Sequence, residues 1–182
     1  MPPELQGDAR IRKVEGVTTL LRPWNLDDAP VILAAAGEEM MARQFTLPID
    51  SLTAAQDWIA LLMARREDDT AYSFAVLHDG VPVGNAAVSS VERRHLTGWI
   101  SYWMREEARG KGLATEACKA VSEFAFSELG LFRLELAHRL DNPASCRVAT
   151  GAGFAVEGVE RARLLYDGVR YDTETHARLA TD

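Results

Sequence analysis

The chain has 182 residues, 47% of them hydrophobic and 26% charged, with a formal net charge of −7 at pH 7. That length carries one good core and one domain, and the balance excludes a disordered chain. The acidic body disfavours nonspecific binding to nucleic acid or anionic membranes, and no apolar run approaches the ~20 residues that span a bilayer.

Met1-Pro2-Pro3-Glu4 carries no basic-then-apolar targeting signal, so the chain reads as cytoplasmic. Residues 1–15 are polar and are expected to form a loose arm before a single domain over 16–182. The two cysteines, Cys118 and Cys146, show no CxxC and no His/Cys spacing, so neither a disulfide framework nor a metal site is expected. Cys118 falls in an apolar helical pattern and reads as a small core residue.

Thr18 to Arg22 reads as a strand stopped by Pro23. Asn25 or Asp27 can cap a helix through Val31–Ala36 that Gly37 ends, and a short helix is expected over Glu38–Arg43. Ser51 or Thr53 caps a clearer helix with Trp58, Leu61 and Leu62 on one face and Arg65, Arg66 and Glu67 at its exit. From residue 72 the period changes. Tyr72–Leu77 and Val81–Val91 are strand-like runs around His78-Asp79-Gly80, where Asp-Gly is a strong hairpin signal. Thr97–Met104 makes a third strand in this region. Leu113–Leu129 is helical, with Ala117, Val121, Phe124 and Ala125 as its buried stripe and Gly130 as its C-terminal stop. Arg133–His138 is a further strand. Asn142-Pro143 opens a short helix to Thr150, closed by Gly151-Ala152-Gly153. Phe154–Arg163 and Asp172–Leu179 read as two more strands around a turn at Asp167-Gly168. The mixture predicts an α/β (α+β) domain with a mixed sheet.

Arg109-Gly110-Lys111-Gly112-Leu113-Ala114 joins the Thr97–Met104 strand to the long helix. A strand that turns through glycines into a helix N-terminus presents backbone N–H groups to an anion, which is the physical basis of phosphate binding. A P-loop requires GxxxxGK[ST], which is absent. A Rossmann fingerprint requires GxGxxG, but Thr115 occupies the third glycine position, and Glu135 lies on an amphipathic strand where exposure explains it.

The pattern [Q/R]xxGx[G/A] is satisfied by Arg109, Gly112 and Ala114. Beyond it lie a strand, then Asp141-Asn142-Pro143-Ala144-Ser145, a short helix and Gly153-Phe154. This order resembles the GNAT superfamily of acyl-CoA N-acyltransferases over residues 18–180, in the branch that includes the ribosomal-protein N-terminal acetyltransferases RimJ and RimL. The resemblance implies a central, mostly antiparallel sheet of six to seven strands, splayed at the acyl-CoA site and flanked by helices. It also implies acetyl-CoA as co-substrate, with no metal, and a primary amine as acceptor: a protein N-terminus or a small molecule such as a polyamine. A homodimer is one possibility, through an apolar C-terminal strand.

The site residues follow from the same resemblance. Tyr102, Trp103 and Met104 flank the pantetheine arm, and Arg109, Gly110, Lys111, Gly112, Leu113, Ala114 and Thr115 hold the pyrophosphate. Asn142 bonds the arm, and Ser145 lies near the sulfur as candidate general acid. Because a thiol has a pKa of ~8.5, its thiolate leaves well with weak assistance, so Ser145 modulates the rate. Related enzymes often carry a Glu where this chain has Trp99, which leaves the general base unknown. His138, at the end of the splayed strand, is one candidate, since histidine is the side chain suited to proton transfer near neutrality. His95 and Glu92 are no better placed. Trp24, Trp58, Trp99 and Trp103, with Tyr166 and Tyr171, are either core or rim residues of an acceptor pocket. Alternatives that remain are succinyl-CoA or another acyl donor, and a non-catalytic CoA-binding domain.

Overall fold

A computed structural model of the protein describes residues 20–41, 44–45 and 47–182. The expected arm over 1–15, together with Thr18, Thr19, Ala42 and Arg43, lies outside these residues. Among them the strands are β1 (Leu20–Pro23), β2 (Tyr72–His78), β3 (Val81–Glu92), β4 (Thr97–Met104), β5 (Arg133–Arg139), β6 (Ala155–Tyr166) and β7 (Val169–Leu179). The α-helices are α1 (Ala29–Ala36), α2 (Leu52–Glu67), α3 (Leu113–Ser127) and α4 (Pro143–Gly151). One sheet holds all seven strands in the order β1-β2-β3-β4-β5-β7-β6. Only β4 and β5 run parallel; the other neighbours are antiparallel. The expected mixed, mostly antiparallel sheet is therefore present.

Strand alternation divides the core between the two sheet faces. Phe74 and Val76 of β2, with Ile100 and Met104 of β4, pack with α3 and with Leu134, Leu136 and Phe154 in one cluster. Ala75 and Leu77 of β2, with Trp103 of β4, join Trp24, Ile32, Ala55 and Ile59 in a second cluster beneath α1 and α2. β2 is thus buried on both faces, and β4 is held on one face by Ile100 and Met104 and on the other by Trp103, where Trp99 and Ser101 are exposed. Helix α3 buries Leu113, Ala117, Cys118, Val121, Phe124 and Ala125, the apolar stripe at 3–4-residue spacing.

β4 meets β5 through three residue pairs only: Thr97↔Arg133, Gly98↔Leu134 and Trp99↔Glu135. Beyond them β4 stays paired with β3 as far as Gly84↔Met104, and β5 stays paired with β7 as far as Arg139↔Thr173. The two halves of the sheet therefore part. At the joined end the packing is tight, because a Cβ on Gly98 would lie 2.8 Å from both Leu131 Cδ1 and Val88 Cγ2.

Several local expectations are corrected. Helix α2 is capped by Ser51, whose Oγ accepts the Ala54 N–H at 3.2 Å. Its inner face is Ala55, Trp58, Ile59 and Leu62, while Leu61 is exposed, because the helical period rotates 61 by about 100° from that face. Before α1 a 3₁₀ turn, Leu26–Asp28, has Asn25, one of the two expected caps, as its N-cap, with Asp28 and not Asp27 closing a capping box. The Asp28 carboxylate accepts the Asn25 N–H at 3.0 Å and a bidentate pair from Arg22 at 2.6 and 2.7 Å. Of the short helix expected over 38–43, the described residues Glu39–Met41 form a 3₁₀ turn. β6 and β7 extend to Tyr166 and Val169, because Asp167 (φ 50°) and Gly168 (φ 79°) close a two-residue hairpin that pairs the strands up to the turn.

Gly84 tests how firmly β4 is held. A Cβ there would lie 2.5 Å from Met104 Sδ and 2.5 Å from the Trp103 carbonyl oxygen, a backbone atom that cannot swing away. Gly84→Ala is expected to destabilise the fold by about 1–3 kcal/mol, the usual cost of overpacking. A urea midpoint equal to that of the parent would refute the constraint.

Candidate active site

The parting of β4 from β5 opens a groove of about 400 Å³ between the glycine loop, α3 and α4. Of the residues expected there, Tyr102, Trp103, Met104, Arg109, Gly110, Gly112, Leu113, Ala114, Thr115, Asn142 and Ser145 line it. Lys111 is exposed and does not line it. The structure adds Met40, Met41 and Gln44 from the segment after α1, and Ala144, Arg147 and Val148 from α4. The α4 set follows from helical spacing about Ser145. Nothing local in the sequence ties residues 40–44 to a loop some seventy positions later.

Backbone conformation shapes the glycine loop before α3. Gly110 (φ +74°) and Gly112 (φ +78°) are left-handed, yet a Cβ on either would meet nothing within 4 Å. Glycine is needed there for the dihedral angle, not for space. The first helical bond of α3 runs from the Glu116 N–H to the Gly112 carbonyl at 3.2 Å. The N–H groups of Leu113, Ala114 and Thr115 thus form the first turn, which has no intrahelical acceptor and carries the positive end of the helix dipole.

Arg109 is held more firmly than the sequence indicates. Its Nε donates to the Met104 carbonyl at 3.0 Å, its Nη1 lies 3.4 Å from Met40 Sδ, and its Nη2 donates to Glu38 Oε2 at 3.2 Å. Glu38 also accepts the Glu106 N–H at 2.9 Å and Arg105 Nε at 3.4 Å. Glu38, which the sequence reading did not single out, therefore ties the loop to the segment after α1 and balances part of its positive charge.

On the other wall, Asn142 caps α4: its Oδ1 accepts the Ser145 N–H at 3.1 Å. The cap occupies the carbonyl end of that side chain and leaves its amide N–H groups to donate. Ser145 is half-buried, and its side chain is within hydrogen-bond reach of the Tyr102 phenol. Tyr102 crosses the groove and donates its phenol to the Ser145 backbone carbonyl at 3.2 Å. Burial pushes the Tyr102 phenol well above its ordinary range, with a smaller contribution from Cys118, so it remains a proton donor at neutral pH.

The base candidates do not converge on the groove. His138 is buried away from it: its Nδ1 faces the Arg139 carbonyl at 2.9 Å and its Nε2 faces His176 Nε2 at 3.0 Å. Glu92 accepts the N–H groups of Arg94 and His95 in the turn at the opposite end of β4. Trp99 is paired with Glu135 where the strands are still joined, before the groove begins. Trp24, Trp58 and Trp103 pack together with Phe45, and of these only Trp103 reaches the groove. Tyr166 and Tyr171 contact each other on the β6–β7 hairpin, with Arg139 over the Tyr171 ring.

The chain is similar to known proteins. The acetyltransferase (GNAT) domain family matches residues 19–155. The probable N-acetyltransferase YjcK of Bacillus subtilis (strain 168) is 31% identical, over 93% of this chain and 98% of its own length. The ribosomal-protein-serine acetyltransferase of Escherichia coli (strain K12) is 29% identical over 58% of this chain and 59% of its own length. Among solved structures, RimL, a ribosomal L7/L12 alpha-N-protein acetyltransferase in complex with coenzyme A, superposes with a TM-score of 0.84. That likeness covers 93% of this chain and 97% of RimL at 19% identity, a likeness of fold.

Proposed function

The chain belongs to the acetyltransferase (GNAT) family, and from that premise we propose that it transfers the acetyl group of acetyl-CoA to a primary amine, either a peptide N-terminus or a small-molecule amine, by direct attack on the thioester. The observation that carries this reading is the groove where β4 parts from β5, with a glycine loop and a helix N-terminus at its mouth. The edges of β4 and β5 that no longer pair with each other can accept an extended amide-bearing arm in the manner of an added strand. The first-turn N–H groups of α3 suit the pyrophosphate.

The acceptor must arrive as a neutral amine. An α-amine, with a pKa near ~8, supplies a useful neutral fraction at pH 7, whereas a lysine near ~10.4 needs a base or desolvation. With no carboxylate or imidazole of the candidate set facing the groove, the site favours acceptors of the first kind, deprotonated through water. Attack forms the new C–N bond, the carbonyl oxygen takes up charge, and collapse expels the CoA thiolate. Ser145 passes a proton to that sulfur and takes one back, through water, from the nitrogen that has just formed the amide, and Tyr102 holds the Ser145 backbone in place. Arg147 on the α4 wall is a cation that suits a succinyl carboxylate, so the donor is tested together with the acceptor. Exposed Val156, Val159 and Leu165 on the edge strand β6 favour pairing of two copies.

Incubation with acetyl-CoA or succinyl-CoA and a panel of peptide N-termini, polyamines and amino acids, followed by free-thiol release, tests the activity and the donor. Release with an α-amine supports the reading, and CoA binding without release across the panel would favour a non-catalytic domain. Gly112→Asp adds a negative charge at the cradle and strain of about 1–3 kcal/mol from its left-handed backbone. It is expected to weaken CoA binding at least ~100-fold, whereas Gly112→Ala, with the strain alone, loses less. Equal affinity in a folded Asp variant, checked by circular dichroism, would displace the phosphate from this loop. Ser145→Ala is expected to lower turnover about tenfold, less than the ~10²–10⁴ of general acid–base catalysis, because a thiolate already leaves well. Its CoA affinity should be unchanged, and unaltered turnover would reduce Ser145 to a part of the scaffold.

A further inference from the structure

Behind α4, away from the groove, four potential ligand side chains converge. His138 from β5, Cys146 from α4, and Glu174 and His176 from β7 each offer one ligand atom, and these atoms lie within 4.8 Å of one another. The two imidazoles are 8% and 1% exposed. His176 Nε2 is 3.0 Å from His138 Nε2 and 2.9 Å from Glu174 Oε1. Glu174 Oε1 is 3.4 Å from His138 Nε2 and 3.4 Å from Cys146 Sγ. In a tetrahedral zinc site with these ligand types, neighbouring ligand atoms are about 3.3–3.6 Å apart. The four separations above are within about half an ångström of that, and the two between Cys146 Sγ and the imidazole nitrogens are no more than 4.8 Å.

We propose that His138, Cys146, Glu174 and His176 form a closed divalent-metal site of the zinc class that fastens α4 to β5 and β7.

The proton arrangement favours a cation there. The Arg139 carbonyl can only accept, so His138 carries a hydrogen on Nδ1 and its neutral ring turns a bare Nε2 toward the cluster. This is how ligating histidines are usually oriented, with the other ring nitrogen held by a backbone carbonyl or carboxylate. A single Nε2–H on His176 must then serve both His138 Nε2 and Glu174 Oε1, and His176 Nδ1 is buried with no hydrogen-bond partner among the described residues. Lone pairs outnumber protons at the centre. When the cation enters, the His176 proton moves from Nε2 to Nδ1 and the Cys146 thiol releases one proton to water. Two neutral imidazoles, a thiolate and a carboxylate then balance the double positive charge. A neutral assembly is the form that a buried position tolerates.

The donor set selects the metal. Two nitrogens, one sulfur and one oxygen in compact array suit zinc better than magnesium or calcium, which take oxygen ligands in larger shells. Four protein ligands leave no open position, so the role is structural. Cys146 directly follows Ser145, so a metal on its sulfur would set the position of the groove wall that carries Ser145. The linear spacing conceals this. The ligands come from three elements, and the two histidines are brought together only by the β5–β7 register, in which Leu136 lies opposite His176 and His138 opposite Glu174.

The test uses the full chain, free of any affinity tag and stripped with a chelator. Zinc chloride and cobalt chloride are titrated against a chromophoric competitor. One equivalent per chain is expected, with a thiolate-to-cobalt charge-transfer band. Cys146→Ser should abolish the band and weaken zinc binding at least ~100-fold, more than the 10–100-fold typical of outer-shell changes. Glu174→Gln, on a partly exposed side chain, should weaken zinc binding without loss of fold, which circular dichroism checks. Cys118→Ala should leave the band intact. Absence of stoichiometric binding overturns the proposal. So does stoichiometric binding without the charge-transfer band, or affinity indifferent to both Cys146→Ser and Glu174→Gln, and the cluster is then a hydrogen-bond network only.

Discussion

The short parallel pairing of β4 with β5 is the constraint on which the rest depends. Three residue pairs join the halves of the sheet, and Gly98 lets Val88 and Leu131 close over the joined end. Each half then continues with its other neighbour, so the parted edges remain ordered while their mutual hydrogen bonds go unmade. Unpaired backbone groups buried without a partner are costly, which is why a groove of this kind suits an extended ligand rich in amides. The same parting places the end of β4 at the glycine loop and the start of α3, and the end of β5 at α4.

The two walls of the groove are held by different physics. β4 is fixed by packing on both faces, with Ile100 and Met104 toward α3 and Trp103 toward α1 and α2. The Trp24 indole N–H reinforces this by donating to the buried Asn85 Oδ1 at 2.8 Å, which joins the chain before α1 to β3. The α4 wall has a smaller apolar anchor, chiefly Ala149 and Val148, and depends more on polar contacts. Asn142 caps the helix, Tyr102 reaches across to the Ser145 carbonyl, and Cys146 faces Glu174. The groove therefore lies between a strand held by packing and a helix whose position is set by a few specific bonds.

Charge is arranged to complement this. The body is acidic, yet Arg105 and Arg109 stand at the loop, both shared with Glu38. A phosphate bound at the α3 N-terminus would find backbone dipoles already aimed at it, with no need for a free arginine. Arg109 is thereby both a positive charge at the groove and a link to the segment after α1, a double role that its place in the loop pattern does not reveal.

By itself the sequence determined the elements whose signals are local. The Asp79-Gly80 hairpin, the stripe of α3, the helix start at Ser51 or Thr53, the glycine turn into α3 and the helix start at Asn142-Pro143 each depend on residues within one or two turns of one another. The order of those elements carried the fold and the family resemblance. Where the local signal was ambiguous it misled, as at Leu61 and at the ends of β6 and β7, since burial and pairing there depend on what lies opposite. Only the tertiary structure decided the relations between distant residues: Glu38 with Arg109, Tyr102 with Ser145, and His138 with His176 and not with the groove. Such contacts are set by strand register and helix docking, and no periodicity in the chain encodes which side chain will meet another forty or seventy residues away.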